Sequence, residues 1–201
     1  MGDLKLLYDA AKQEVINAGY VKEIEWQASR DIDKVTEQEF LKELAWVVLA
    51  SGMKEAIIRK VFPQISHAFH EFECLATAPS QKSMIEESLK HFNNKRKIAA
   101  IYNNTYKLQR EGFKHFIIRM KLNPLKVLQE FAFIGPITCY HLAKNIGLPV
   151  AKPDRHLVRI AAREGYDDVQ AFCEEISRQT GDSVPVVDIV LWRYATIIGT
   201  K

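Results

Sequence analysis

The chain has 201 residues, 47% of them apolar and 26% charged, an ordinary globular balance with room for one large or two small cores. Its longest unbroken apolar run, Ala45 to Ala50, is far too short to cross a bilayer, and the opening MGDLKLLYDAAKQ lacks the basic start and apolar stretch of a secretion signal, so a cytoplasmic location is expected. The net charge of +3 is too small to name a partner.

Taken in order, the N-terminal third leans acidic, with Glu23, Glu25, Asp31, Asp33, Glu37, Glu39 and Glu43. "TEQEFLKELAWVVLASG" opens with a capping box, Thr36 and Glu39, and aligns Phe40, Leu44, Val47 and Val48 on one face. Gly52 is its stop signal. "KEAIIRKVFPQISHAFHEF" repeats the amphipathic pattern, with Pro63 marking a kink or a restart. The stretch at 76–82, ATAPSQK, reads as a loop. "SMIEESLKHF", "KRKIAAIYNNTYKLQ" and "FKHFIIRM" are further helices, and "NPLKVLQEF" starts with Asn at the cap and Pro in the first turn. "DDVQAFCEEISRQ" and "PVVDIVLWRYATI" complete an all-α set with no alternating strand pattern and no fixed-period repeat.

Between Lys90 and Lys121 the chain carries Lys90, Lys95, Arg96, Lys97, Lys107, Arg110, Lys114, Arg119 and Lys121 against Glu111 alone. A basic stretch of this kind suits a polyanion, and equally a solvated helix face. Cys74, Cys139 and Cys173 form no CxxC pair and no Cys/His cluster, so reduced, buried thiols are expected and no metal site is indicated.

The run FIGPITCYHLAKNIGLPVAKPDRHLVRI, Phe133 to Ile160, holds two helix starts. Gly135 permits a positive φ. With Pro136 presetting the first turn, the N–H groups of Gly135, Ile137 and Thr138 would point outward at a helix N-terminus, where anions are favoured. Such a turn can grip a nucleic-acid phosphate without reading sequence, although a Gly-Pro turn between helices is more often a connector. Asp154 stands at the N-cap of "RHLVRIAAREG". Taken alone it is a capping residue worth about 1 kcal/mol. The same N–H donors also favour an ionised carboxylate, the group that stabilises a developing oxocarbenium ion or orients a water.

The hairpin, the short connection and PDRHLVRIA together resemble the helix-hairpin-helix DNA glycosylase superfamily, which includes endonuclease III. Phe133-Ile134-Gly135 matches the family's Gly-x-Gly hairpin with Phe133 in place of the first glycine, and Asp154-Arg155-His156-Leu157-Val158-Arg159 matches its catalytic segment. Upstream, FLKELAWVVLASGMKEAIIRKVFPQI is similar to the first barrel helix and the one after it, and HFNNKRKIAAIYNNTYKL to the helix after the DNA-intercalating loop. The resemblance covers Thr36 to Ile197.

It implies two helical subdomains with a cleft between them: a barrel over 36–147 ending in the hairpin, and a second domain formed by 1–35 with 148–201. It implies base-excision repair chemistry on double-stranded DNA by a monomer that has no membrane partner: a damaged, mispaired or modified base is flipped out and its N-glycosidic bond hydrolysed, with Asp154 catalytic. DNA would be held by Gly135, Ile137, Thr138, Lys95 and Arg96. His91 matches the wedge position, and Trp26, Ile137, Tyr140 and His141 are candidates for the base pocket. Lyase-active members carry a nucleophilic lysine where this chain has Ile137, which cannot form a Schiff base, so a monofunctional enzyme is expected. Lys144 and Lys152, nearby, read as solvated or phosphate-facing. The family's gap-filling Gln matches Gly52, with Met53 next to it. The iron–sulfur cysteines of some members are absent. No cofactor is implied beyond the monovalent cation that some members hold through hairpin carbonyls, here Phe131 or Phe133. The alternative is a catalytically silent helix-hairpin-helix DNA-binding protein. A helical interaction protein with no nucleic-acid role is the third reading.

Overall fold

The computed structural model describes residues 3–73 and 80–199. Among them every element is helical: α1 (Leu4–Asn17), α2 (Val21–Ala28), α3 (Glu37–Ala50), α4 (Glu55–Ala68), a 3-10 turn (His70–Phe72), α5 (Gln81–His91), α6 (Lys95–Glu111), α7 (Phe113–Leu122), α8 (Pro124–Leu128), α9 (Thr138–Asn145), α10 (Arg155–Arg163), α11 (Val169–Thr180) and α12 (Val184–Ile198). The fold is all-α, and no helix among the described residues is long and apolar enough to cross a membrane. Cys74 and the expected loop as far as residue 79 lie outside the described residues. Ser80 already caps α5.

The chain divides into two compact units, 1–34 with 143–201 and 35–142. The second boundary falls inside α9 rather than at Gly147, because Lys144 is bonded to Asp188 and Gln27 of the discontinuous unit.

In the continuous unit, 35–142, both halves of the capping box form. The Glu39 N–H donates to Thr36 Oγ1 at 3.2 Å and the Thr36 N–H to Glu39 Oε2 at 2.9 Å. The face of α3 carrying Phe40, Leu44, Val47 and Val48 is buried. Phe40 packs on Phe113, Phe116 and Phe131, with ring centroids 4.8–6.0 Å apart, good geometry for aromatic pairs. Helix α4 runs through Pro63 without a restart. Proline removes one helical bond, but Ile58 and Ile65, both buried, hold the helix on either side. After α4, three consecutive non-glycine residues turn left-handed: His70, Glu71 and Phe72, at φ 52, 52 and 60°. That conformation costs roughly 1–2 kcal/mol per residue. It is pinned by Gln38 donating to the Glu71 carbonyl at 2.8 Å and by the Ser66 hydroxyl donating to the Glu71 carboxylate at 2.5 Å.

The discontinuous unit is built around α12, apolar on most sides, as a helix buried all round must be. Val186, Val187, Val190, Leu191 and Ala195 join Tyr8, Val15, Leu157, Phe172, Cys173 and Ile176 in one core. Polar clamps fasten its rim. The Tyr8 hydroxyl donates to Asp182 at 2.6 Å, and Arg193 makes a two-pronged pair with Glu23 while lying 4.2 Å over the Tyr20 ring. Cys139 and Cys173 are free, buried thiols, and burial pushes both up from the ordinary thiol range.

The turn leaving α9 depends on Gly147, at φ +94°, where an added Cβ would stand 2.7 Å from the backbone nitrogens of Asp31 and Ile32. Gly147→Ala is expected to cost about 2–4 kcal/mol, the left-handed penalty plus overpacking, read as a Tm loss of roughly 2–4 °C per kcal/mol. Gly165→Ala is the control: the same φ class but open space, so only the conformational cost of about 1–2 kcal/mol remains. Equal losses for the two variants would show that the Asp31–Ile32 approach does not constrain this turn.

Candidate active site

The hairpin lies between α8 and α9. Helix α8 ends at Leu128, and residues 129–137 form the connection. Asn104 of α6, buried, clamps it from beneath: its side-chain amide donates to the Ala132 carbonyl at 3.0 Å and accepts from the Ala132 N–H at 2.9 Å. The left-handed residue is Phe133, at φ +67°, and not Gly135. The turn therefore keeps the conformation a glycine would supply and bears the strain of a phenylalanine, a residue 38% exposed. The expectation of three outward donors is corrected as well. The Gly135 N–H turns inward to Thr138 Oγ1 at 2.6 Å, because the threonine hydroxyl is within reach as a local cap. Neither the Ile137 nor the Thr138 N–H has an acceptor among the described residues. The Phe131 carbonyl accepts from the Ile134 N–H and the Phe133 carbonyl from Thr138 Oγ1, which leaves each with one lone pair for a cation.

The basic stretch sorts itself on folding. Lys95 and Arg96 are exposed in the first turn of α6, capped by Asn94. Cations there oppose the helix dipole, so stability does not account for them. Lys107 and Arg119 are paired with Glu130, and Arg119 also with Glu111. Hydrogen bonds from Arg119 hold the Glu130 carboxyl down to about 2. Lys97 belongs to no exposed face. It is buried and donates to the Leu49 and Ser51 carbonyls at 2.6 and 2.5 Å, capping the C-terminus of α3, with its ammonium 6.0 Å from the Phe133 ring centre. Burial pushes that ammonium down from its ordinary range. The turn it fixes carries Gly52 and Met53, the latter 37% exposed. His91 ends α5, exposed, with Nε2 3.4 Å from Glu87.

Asp154 caps α10. Its Oδ1 accepts the N–H groups of His156 at 2.9 Å and Leu157 at 3.2 Å, and its Oδ2 faces the Lys152 ammonium at 3.9 Å. The carboxylate is neither buried away nor fully solvated: its side chain is 14% exposed. Lys152 is held by the same short turn, its carbonyl accepting the Asp154 N–H at 2.8 Å. It is mostly buried and not a solvated lysine; desolvation outweighs the attraction of Asp154 and lowers its pKa. Lys144 is not solvated either. Its side chain is 4% exposed, and its ammonium lies 2.8 Å from Asp188, itself 2% exposed. Asp188 also accepts the Lys152 N–H at 2.6 Å. A lone acid in the apolar run VPVVDIVLW was the sequence signal for this network.

The remaining pocket candidates divide between the units. Ile137 is exposed, and Tyr140 and His141 are half-buried along α9 in the continuous unit. Trp26 lies on α2 of the other unit, 36% exposed, with the Arg30 guanidinium 5.2 Å from its ring centre. Arg30 thus covers a ring face that a base would need. No group of three or more His, Cys, Asp or Glu among the described residues could hold a metal ion.

No protein-family model matches the chain, and no curated protein matches it in sequence. Solved structures do match in fold. The Methanocaldococcus jannaschii 8-oxoguanine glycosylase/lyase, in complex with a 15mer DNA containing 8-oxoguanine, superposes with a TM-score of 0.65 at 17% identity, over 97% of this chain and 98% of that one. The Thermotoga maritima 8-oxoguanine DNA glycosylase gives 0.64 at 17% identity, over 98% and 99%. The chain shares the overall fold of these 8-oxoguanine DNA glycosylases over 97–98% of its length.

Because Lys152 holds its proton less tightly when folded, the unfolded chain binds more protons between its depressed value and the ordinary 10.5, and stability rises with pH across that window. The difference in Tm between wild type and Lys152→Met, followed by calorimetry from pH 7 to 10.5, is expected to move in favour of wild type as pH rises. A flat or falling difference would show that burial does not control this lysine.

Proposed function

We propose that the chain is a DNA glycosylase that hydrolyses the bond between deoxyribose and a damaged, mispaired or modified base. One observation carries the reading: in a chain that shares a glycosylase fold over 97–98% of its length, a half-buried carboxylate stands at the mouth of α10 with one oxygen fixed by two N–H groups and the other uncommitted to any N–H donor. The target base rotates out of the duplex at a cost of a few kcal/mol. As the glycosidic bond lengthens, Asp154 opposes the positive charge on the sugar and orients the attacking water. The free N–H groups of Ile137 and Thr138 at the start of α9 hold a phosphate, Lys95 and Arg96 hold others, and His91 and Met53 are the side chains offered to the vacated stack.

The strand is left intact. Ile137 has no amine at the hairpin, and the amine of Lys144 is taken by Asp188. Since both neighbours named above act on 8-oxoguanine, a duplex bearing that base is the first substrate to assay, followed by other oxidised, alkylated and deaminated bases.

Asn caps a helix as well as Asp, so Asp154→Asn should fold and bind duplex like wild type while base release falls by about 10²-fold or more, on the scale of losing one transition-state electrostatic partner. Wild type that binds duplex and frees no base from any lesion would leave the catalytically silent binding protein. Strand breaks without alkali, or a borohydride-trapped covalent complex, would overturn the hydrolytic ending and point to Lys152. For the DNA contacts, Lys95→Ala/Arg96→Ala should lower the slope of log affinity against log salt by about 2. An unchanged slope would remove these side chains from the interface.

A further inference from the structure

We infer that Asp188, from the second turn of the last helix, is the positioning residue that fixes Asp154 for base release. The inference rests on the glycosylase reading for its chemistry and on geometry for the rest. Residues 146–154 join α9 to α10 without secondary structure, and a segment of that kind would ordinarily wander. Here two successive donors, the N–H groups of Ala151 and Lys152, are taken by side chains from two other helices. The Ala151 N–H goes to Gln170 Oε1 of α11 at 2.8 Å, and the same amide donates to the Pro149 carbonyl at 3.0 Å. The Lys152 N–H goes to Asp188 Oδ2 of α12 at 2.6 Å, a short, charge-assisted bond. From Lys152 the order passes along the turn, because the Lys152 carbonyl receives the Asp154 N–H at 2.8 Å.

A purely structural account of Asp188 is unsatisfying on energetic grounds. Its carboxylate is 2% exposed and needs the Lys144 ammonium at 2.8 Å to be tolerated. Two apolar side chains of similar size would hold the helices together without desolvating either ion. What they could not supply is an acceptor at the Lys152 N–H. The charge is therefore placed where it immobilises the turn that presents the reacting carboxylate, and Lys144 is the counter-ion that permits it. Gln27 completes the set by donating to the Lys144 carbonyl at 2.8 Å.

The test removes the buried pair in two ways. Lys144→Met/Asp188→Asn keeps an acceptor for the Lys152 N–H, whereas Lys144→Met/Asp188→Leu does not, and neither leaves an unpaired ion. Both are expected to fold and to bind lesion duplex within about 3-fold of wild type. The Asn variant should retain single-turnover base release within about 10-fold, and the Leu variant should lose about 10²-fold, the scale of an ångström's misplacement. Amide exchange at Lys152, Asp154 and Leu157 should speed up in the Leu variant alone. Equal rates and equal exchange in the two variants would overturn the proposal. If wild type frees no base at all, the glycosylase reading fails, and exchange by itself decides whether Asp188 holds the turn.

Discussion

A single negative charge buried on the last helix organises the part of this molecule where chemistry is proposed. Asp188 can sit at 2% exposure only because Lys144 neutralises it and the Lys152 N–H donates to it. Unpaired, it would cost several kcal/mol. Meeting that requirement fixes three things together: the end of α9 through Lys144, the irregular turn through Lys152, and the start of α10 through Asp154. The apolar core around α12 holds this unit together. The charge decides where the turn goes.

The hairpin follows the opposite logic, in that a local rule is broken and the surroundings compensate. Phe133 occupies a conformation that favours glycine, and Lys97, Asn104 and Thr138 each hold part of the resulting loop. Backbone strain of this kind persists where neighbouring structure over-determines it, and it clusters at functional segments. Lys97 also shows how a basic residue can be misread from composition. It lies in the densest basic stretch of the chain yet spends its charge on the carbonyl end of α3.

Legibility from sequence followed the range of the forces. Features set within a few residues were readable: the Thr36–Glu39 capping box, the apolar face of α3, the Asp154 cap and the all-α class. Features set by residues far apart in the chain were not. Nothing near Lys144 announces Asp188, and nothing near Gly147 announces the backbone of Asp31 that makes glycine necessary there. Gly135 drew attention as the glycine of the turn, while the left-handed residue was its neighbour Phe133, because the clamp from Asn104 and the cap from Thr138 are tertiary. Lysines 144 and 152 looked solvent-facing for the same reason: burial is a property of what packs on a side chain, and that information was spread over α2, α11 and α12.

The division of the chain bears on its synthesis. The 35–142 unit is continuous and can assemble once its own residues have been made. The other unit cannot: Tyr8 waits for Asp182 and Glu23 for Arg193, and the helix at the centre of its core leaves the ribosome after all the other described helices. Until then α1 and α2 carry their apolar faces without a partner, the circumstance in which nascent chains aggregate or recruit chaperones. The proposed catalytic turn therefore becomes ordered only once α12 has emerged, since Asp188 holds it.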